Sequence, residues 1–144
     1  MSCVKGLFLD KNQRDLLLAG LAKAEQKLAS AKDNVKLGHF DDGVSRAYYA
    51  ALTSARTLLL SEGMEPKSHD GVWTLMALHF VKTGKFPKEL VRDAQDLKAD
   101  RESGDYDFFS AITSDEAKES IEIASKFLAE VKTHLESFLK WPRI

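Results

Sequence analysis

The sequence predicts an all-α protein, an antiparallel up-and-down helical bundle of about five helices. Two observations carry this expectation. Apolar residues recur at three- and four-residue steps over long stretches, which is the period of one helix face, and no strand of consequence is expected. Glycine, proline and small polar residues punctuate these stretches at short intervals, and short loops between long amphipathic helices force antiparallel neighbours.

The first helix is expected from about Lys11 to Lys36. Leu17, Leu21, Ala24, Leu28, Ala31 and Val35 form its single apolar stripe, and Leu37-Gly38 ends it. The second starts after Asp41 or Asp42, either of them a good N-cap, and runs to about Ser61 before Gly63 breaks it. The third begins near residues 68–70 and ends before Gly84. The fourth follows Phe86-Pro87, with proline suited to a first turn, and runs to about Ser103. The fifth opens at Thr113 or Ser114, where Thr113 and Glu116 match a capping box. Its stripe is Ala117, Ile121, Ala124, Leu128, Val131, Leu135 and Phe138. The first, second and fifth helices should be the longest. Residues 141–144 pack loosely or fray. Residues 1–144 read as one domain with its core at about 10–138.

Composition narrows the function. The chain is 44% hydrophobic and 30% charged, which places it among globular proteins rather than disordered ones. No apolar run approaches the roughly 20 residues needed to span a bilayer, and the first nine residues do not read as a signal peptide. The expected location is cytoplasmic, with no membrane partner. A single cysteine, Cys3, excludes an intrachain disulfide and a cysteine-based zinc site. His39, His69, His79 and His134 lie too far apart for helical metal spacing, and no phosphate loop or G-x-S-x-G element occurs. No cofactor and no metal are expected. The net charge of -1 argues against duplex DNA as a ligand, since duplex binders carry a basic face.

Four segments concentrate the residues that are costly to bury: 45–50 (SRAYYA), 69–71 (HDG), 80–84 (FVKTG) and 101–106 (RESGDY). On the second helix, Val44, Ala47, Tyr48, Ala51, Ala55 and Leu58 make one face. Arg46, Tyr49, Thr53 and Arg56 or Thr57 make the other. Arg46 and Tyr49 are expected to be partly buried, with Arg46 bonded to a carboxylate or a carbonyl from another helix; they either serve packing or line a pocket for an anion or a base. His69 sits at a helix start beside Asp70, as a capping residue or as part of a cleft. Arg101 closes the fourth helix, where the dipole favours a cation. It either clasps Asp105 or Asp107 or clamps a phosphate that Tyr106 orients. The stretch from Lys82 to Arg101 holds six bases against four acids and reads as a solvated face. Arg101, Tyr106 and His69 are expected on one depression near the end of the fourth helix.

These segments, in this order, resemble the HEPN domain (higher eukaryotes and prokaryotes nucleotide-binding), in its small stand-alone prokaryotic branch. The resemblance covers residues 10 to 138 and is strongest at Ser45-Arg46-Ala47-Tyr48-Tyr49-Ala50, with Thr83-Gly84-Lys85 and Arg101 through Tyr106 in support. It implies a compact helical bundle, a homodimer, and membership of a toxin–antitoxin or similar two-protein module with a minimal nucleotidyltransferase as partner. Residue types and resemblance together point to a bundle that binds a nucleotide, RNA or a protein partner, with Arg46, Tyr49, His69, Arg101, Asp105 and Tyr106 as the candidate ligand residues. Loop aromatics Trp73, Phe80, Phe108 and Phe109 add weak support for the dimer. Ribonucleases of this family pair an arginine with a histidine four to six residues on. Here Arg101 is kept and Tyr106 stands five residues later. A tyrosine of ordinary pKa near 10 is a poor base, so no catalytic residue is assigned. Two alternatives stay open: a metal-independent ribonuclease toxin using Arg101 with His69 or Tyr106, and a protein-interaction module without ligand.

Overall fold

The computed structural model describes residues 11–106, 108–109 and 111–140, with side chains at all of these except 11, 103–106, 138 and 140. Among them are five α-helices and no strand: α1 (Lys11–Lys36), α2 (Phe40–Ser61), α3 (His69–Met76), α4 (Lys88–Tyr106) and α5 (Ser114–Lys140). α1, α2 and α5 are the longest, at 26, 22 and 27 residues.

The apolar stripes become the buried faces. Leu17, Leu21, Ala24, Leu28 and Ala31 of α1 are buried and Val35 is half-buried. On α5, Ala117, Ala124, Leu128, Val131 and Leu135 are buried and Ile121 is half-buried. The side chain of Phe138 and residues 141–144, also read from the sequence, lie outside the described residues. Phe127, which the α5 stripe omits, is fully enclosed. Its ring packs against Trp73 and Phe86 at centroid distances of 5.8 and 5.0 Å. A buried apolar side chain of this size stabilises the fold by about 1.5–3 kcal/mol.

The ends of the helices follow local chemistry. Thr113 Oγ1 accepts from the Glu116 N–H at 3.1 Å while Glu116 Oε1 accepts from the Thr113 N–H at 2.9 Å, the reciprocal capping box expected there. α2 starts earlier than the aspartates suggest. Its cap position is His39, without a side-chain bond, and Asp41 and Asp42 fall inside the first turn. There their charges suit the positive end of the helix dipole. Ser68 caps α3, its Oγ accepting from the Gly71 N–H at 2.9 Å. α3 then passes into a π turn, Ala77–Val81, closed by the Lys82 N–H on the Ala77 carbonyl at 2.9 Å. α4 continues to Tyr106, a turn beyond the expected end. Gly38 and Gly63 terminate α1 and α2 with φ of 82° and 80°, a left-handed turn that a side chain would strain.

α2 is the centre of the bundle, in contact with α1, α3, α4 and α5. Gly43, Ala47, Ala50, Ala51, Ser54 and Ala55 are all buried along it. Small residues let neighbouring helices approach. A Cβ built at Gly20 of α1 would overlap Thr57 Oγ1 and lie 3.0 Å from its Cγ2. Thr57 is itself held, its hydroxyl donating to the Thr53 carbonyl at 2.8 Å.

Gly20→Ala sets about 1 kcal/mol of gained helix propensity against an overpacking cost of about 1–3 kcal/mol. We expect a net loss of about 1 kcal/mol in urea unfolding. In a Thr57→Ala background the same change should cost less, because the hydroxyl and the methyl are gone and only the residue 57 Cβ, at 3.2 Å, still crowds it.

Candidate functional site

Because α2 is covered by helices on most sides, one stripe of it stays open. Residues 42, 46, 49, 53, 56 and 60 are exposed or half-buried, and between 47 and 59 every residue off this stripe is buried. Tyr48 falls just off this stripe and is completely enclosed. Its hydroxyl accepts from Trp73 Nε1 of α3 at 3.2 Å. Burial raises the Tyr48 pKa, so the phenol stays neutral and hydrogen-bonding. Truncating one member of such a buried pair typically costs about 1–3 kcal/mol, because the other is left unsatisfied.

Three helices meet at the two tyrosines. The Tyr48 and Tyr49 rings lie 5.4 Å apart, edge to face. The His69 imidazole, from the start of α3, lies 6.0 Å from Tyr48 and 5.7 Å from Tyr49. The Arg101 guanidinium of α4 sits 5.5 Å from the Tyr48 centroid and 5.4 Å from that of Tyr49. A cation over an aromatic face gains about 0.5–2 kcal/mol according to its exposure. Lys27 of α1 approaches Tyr49 at 5.9 Å. Lys98, one turn before Arg101, pairs with Asp70, which lowers the Asp70 pKa and raises that of Lys98. The pair is solvent-accessible and contributes little to stability.

The electrostatics are one-sided. The His69 pKa is lowered, first by burial and then by the charges of Arg101, Lys98 and Arg56; Asp70 opposes this weakly. The imidazole is therefore neutral near pH 7, set among cations. α4 sorts its charges: Lys98 and Arg101 turn toward the tyrosines. Asp100 has its pKa raised by burial, then by Glu116, Asp96 and Glu119. The basic stretch is thus only partly a solvated face. Lys82, Lys85, Lys88 and Arg92 are exposed, whereas Lys98 and Arg101 are half-buried at the site.

Of the residues expected to act together, Tyr49, His69 and Arg101 converge. Arg46 does not behave as expected: it is exposed and bonds to no described residue. The reason is its place on the open stripe of α2, one turn from Tyr49, where no helix covers it. Arg101 lies five residues before the end of α4 rather than closing it, and its guanidinium stands over both tyrosine rings. Asp105 and Tyr106 belong to the last turn of α4, but their side chains, like all of Asp107, lie outside the described residues. Trp73 and Phe80 are buried in the core rather than available to a partner, while Phe108 and Phe109 are 97% and 95% exposed. Sequence reasoning missed Lys27, Lys98 and Trp73. For Lys98 a signal existed in its spacing three before Arg101; for Lys27 there was none. Among the described residues no cluster of histidine, cysteine, aspartate or glutamate could hold a metal ion. No described helix is long and apolar enough to cross a membrane.

An all-helical bundle whose central helix offers tyrosines to a histidine and an arginine from two other helices defines the class. The HEPN domain profile matches residues 19–134, and the chain belongs to the HEPN domain family. Two proteins of Methanocaldococcus jannaschii are similar to it over most of their length. "Putative toxin MJ0142" is 31% identical over 117 residues, 81% of this chain and 80% of its own. "Putative toxin MJ0605" is 33% identical over 131 residues, 91% and 97%. The crystal structure of TT1696 from Thermus thermophilus superposes with a TM-score of 0.70 at 26% identity, covering 81% of this chain and 96% of that one.

The lowered His69 pKa gives a pH signature. The unfolded chain takes up the histidine proton as pH falls through about 6.5, and the native site resists it. The stability linked to His69 is complete above that pH and is lost below it. Urea unfolding at pH 7.5 and 5.5 should show a smaller drop for His69→Gln than for the wild type; equal drops would contradict a neutral His69.

Proposed function

We propose that the chain binds a phosphate-bearing ligand, a nucleotide or RNA, where Arg101, Tyr49 and His69 meet. One observation carries the reading: the Arg101 guanidinium and the His69 imidazole share a pair of tyrosine rings, with Lys98, itself paired with Asp70, and Lys27 nearby. Arginine matches a phosphate bidentately, and a tyrosine face stacks on a base. Arg46 lies one turn along the open stripe, where a phosphate leaving the site would meet it. Asp105 and Tyr106 complete the proposed set by their place at the end of α4.

The names of the two archaeal relatives support a toxin role; the two-protein module with a minimal nucleotidyltransferase as partner is proposed from the family resemblance alone. The absence of a spanning helix among the described residues fits a cytoplasmic location for it. We further propose a homodimer, with exposed Phe108 and Phe109 as part of its contact. Light scattering at micromolar concentration should return twice the chain mass; a monomer mass refutes the dimer.

A second reading is favoured by the same convergence. His69, held neutral, is able to accept the 2′-OH proton of an RNA. The 2′-oxygen then attacks the adjacent phosphorus, Arg101 offsets the charge gained there, and the 5′-oxygen leaves with a proton from water. We rank this below binding, because the structure gives ring contacts and no hydrogen bond that orients His69.

Titration with nucleotides and short RNA should show binding that Arg101→Ala removes while the far-UV spectrum is unchanged; equal binding by the mutant rejects the site. Labelled RNA in EDTA should stay intact. Metal-free cleavage lost in both Arg101→Ala and His69→Gln would promote the second reading.

A further inference from the structure

We infer that the groove between α1 and α2 is a second subsite, which takes the continuation of a single-stranded oligonucleotide beyond the phosphate held at Arg101. This inference rests on the binding reading above and names its substrate: a strand of several nucleotides rather than a mononucleotide.

The groove has a volume of about 490 Å³ and opens at Tyr49 and His69. It follows α1 from Lys27 back to Leu16 and α2 from Tyr49 to Leu60. Eleven residues of helix rise about 16 Å, close to the rise of four or five stacked nucleotides at about 3.4 Å each. Lys23 and Lys27 on one wall and Arg56 on the other supply three cations, against Glu65 as the single carboxylate in the lining. None of the three cations has a carboxylate partner among the described residues. Between these walls Leu16, Leu52 and Met64 give apolar surface. A row of cations beside an apolar floor suits a strand whose phosphates and bases point to different sides. Tyr49 joins the two subsites, with Arg101 at 5.4 Å and Lys27 at 5.9 Å from its ring. An acidic peptide would satisfy the cations but leave the ring and the floor without flat partners.

The test compares adenosine monophosphate with five-nucleotide oligoadenylates of ribose and deoxyribose type, by calorimetry or anisotropy. The wild type should bind a pentamer at least tenfold tighter than the monophosphate, and the two pentamers tell whether the sugar matters. Lys23→Glu and Leu16→Glu, both at solvent-exposed positions of α1, should each erase that gain and leave monophosphate binding within twofold. For Lys23→Glu the pentamer's salt slope should become shallower by about 0.7 or more. Arg101→Ala should weaken all three ligands. If the wild type binds the monophosphate and gains nothing from the pentamer, or if both α1 variants bind the pentamer normally, the subsite is wrong and the Arg101 site stands. If the wild type binds none of them, both fail together. Binding of pentaglutamate as tight as the pentamer would reassign the groove to an acidic protein segment and overturn the inference.

Discussion

The burial of α2 on most of its circumference is the constraint on which the rest of the structure depends. α2 touches four other helices, and the glycine, alanines and serine among its buried residues let its neighbours come close around Val44, Tyr48, Leu52, Leu58 and Leu59. Close approach has two consequences. It buries twelve of the 22 residues of α2, a large contribution to packing stability. It also leaves a single open stripe, so any polar or aromatic group that α2 offers to solvent must appear there. Tyr49 and Arg56 are on that stripe, and Tyr48 lies just inside it.

The tyrosine pair shows how packing becomes chemistry. Tyr48 is anchored by Trp73 within the core, and this fixes the ring against which Tyr49, His69 and Arg101 are set. A site built on an anchored core ring is held by the fold itself and not by a loop. The cost falls on His69: burial first, then cations from two helices, Arg101 and Lys98 of α4 and Arg56 of α2, push the imidazole toward its neutral form. An arriving anion relieves this repulsion. Under the proposed binding, the same arrangement that lowers the imidazole's proton affinity would favour a phosphate.

Much of this was legible in the chain. The stripes of α1 and α5, the capping box at Thr113 and the glycine stops needed only local periodicity and local hydrogen bonding, and they fall where the sequence places them. The sequence offered Tyr49, His69 and Arg101 as ligand residues, but it grouped Arg101 and His69 with Tyr106, whose side chain lies outside the described residues, and Tyr49 with Arg46. Arg46 was misjudged because its burial depends on whether another helix crosses α2 at that turn, and no property of residue 46 reports that. Lys27 and Lys98 were passed over for the same reason: a lysine on a polar helix face looks solvated until a neighbouring helix brings a ring or a carboxylate to it.

The sequence by itself determined the number, length and order of the helices, because these arise from interactions within a few residues of one another. It also determined which face of each helix avoids water. Only the tertiary structure decided which cations stand together, that Arg101 meets two rings, and that α1 and α2 part into a basic groove beside Tyr49. Those features arise between residues 20 to 75 positions apart in the chain, roughly, where helix crossing and side-chain volume set the distances and no local periodicity records them.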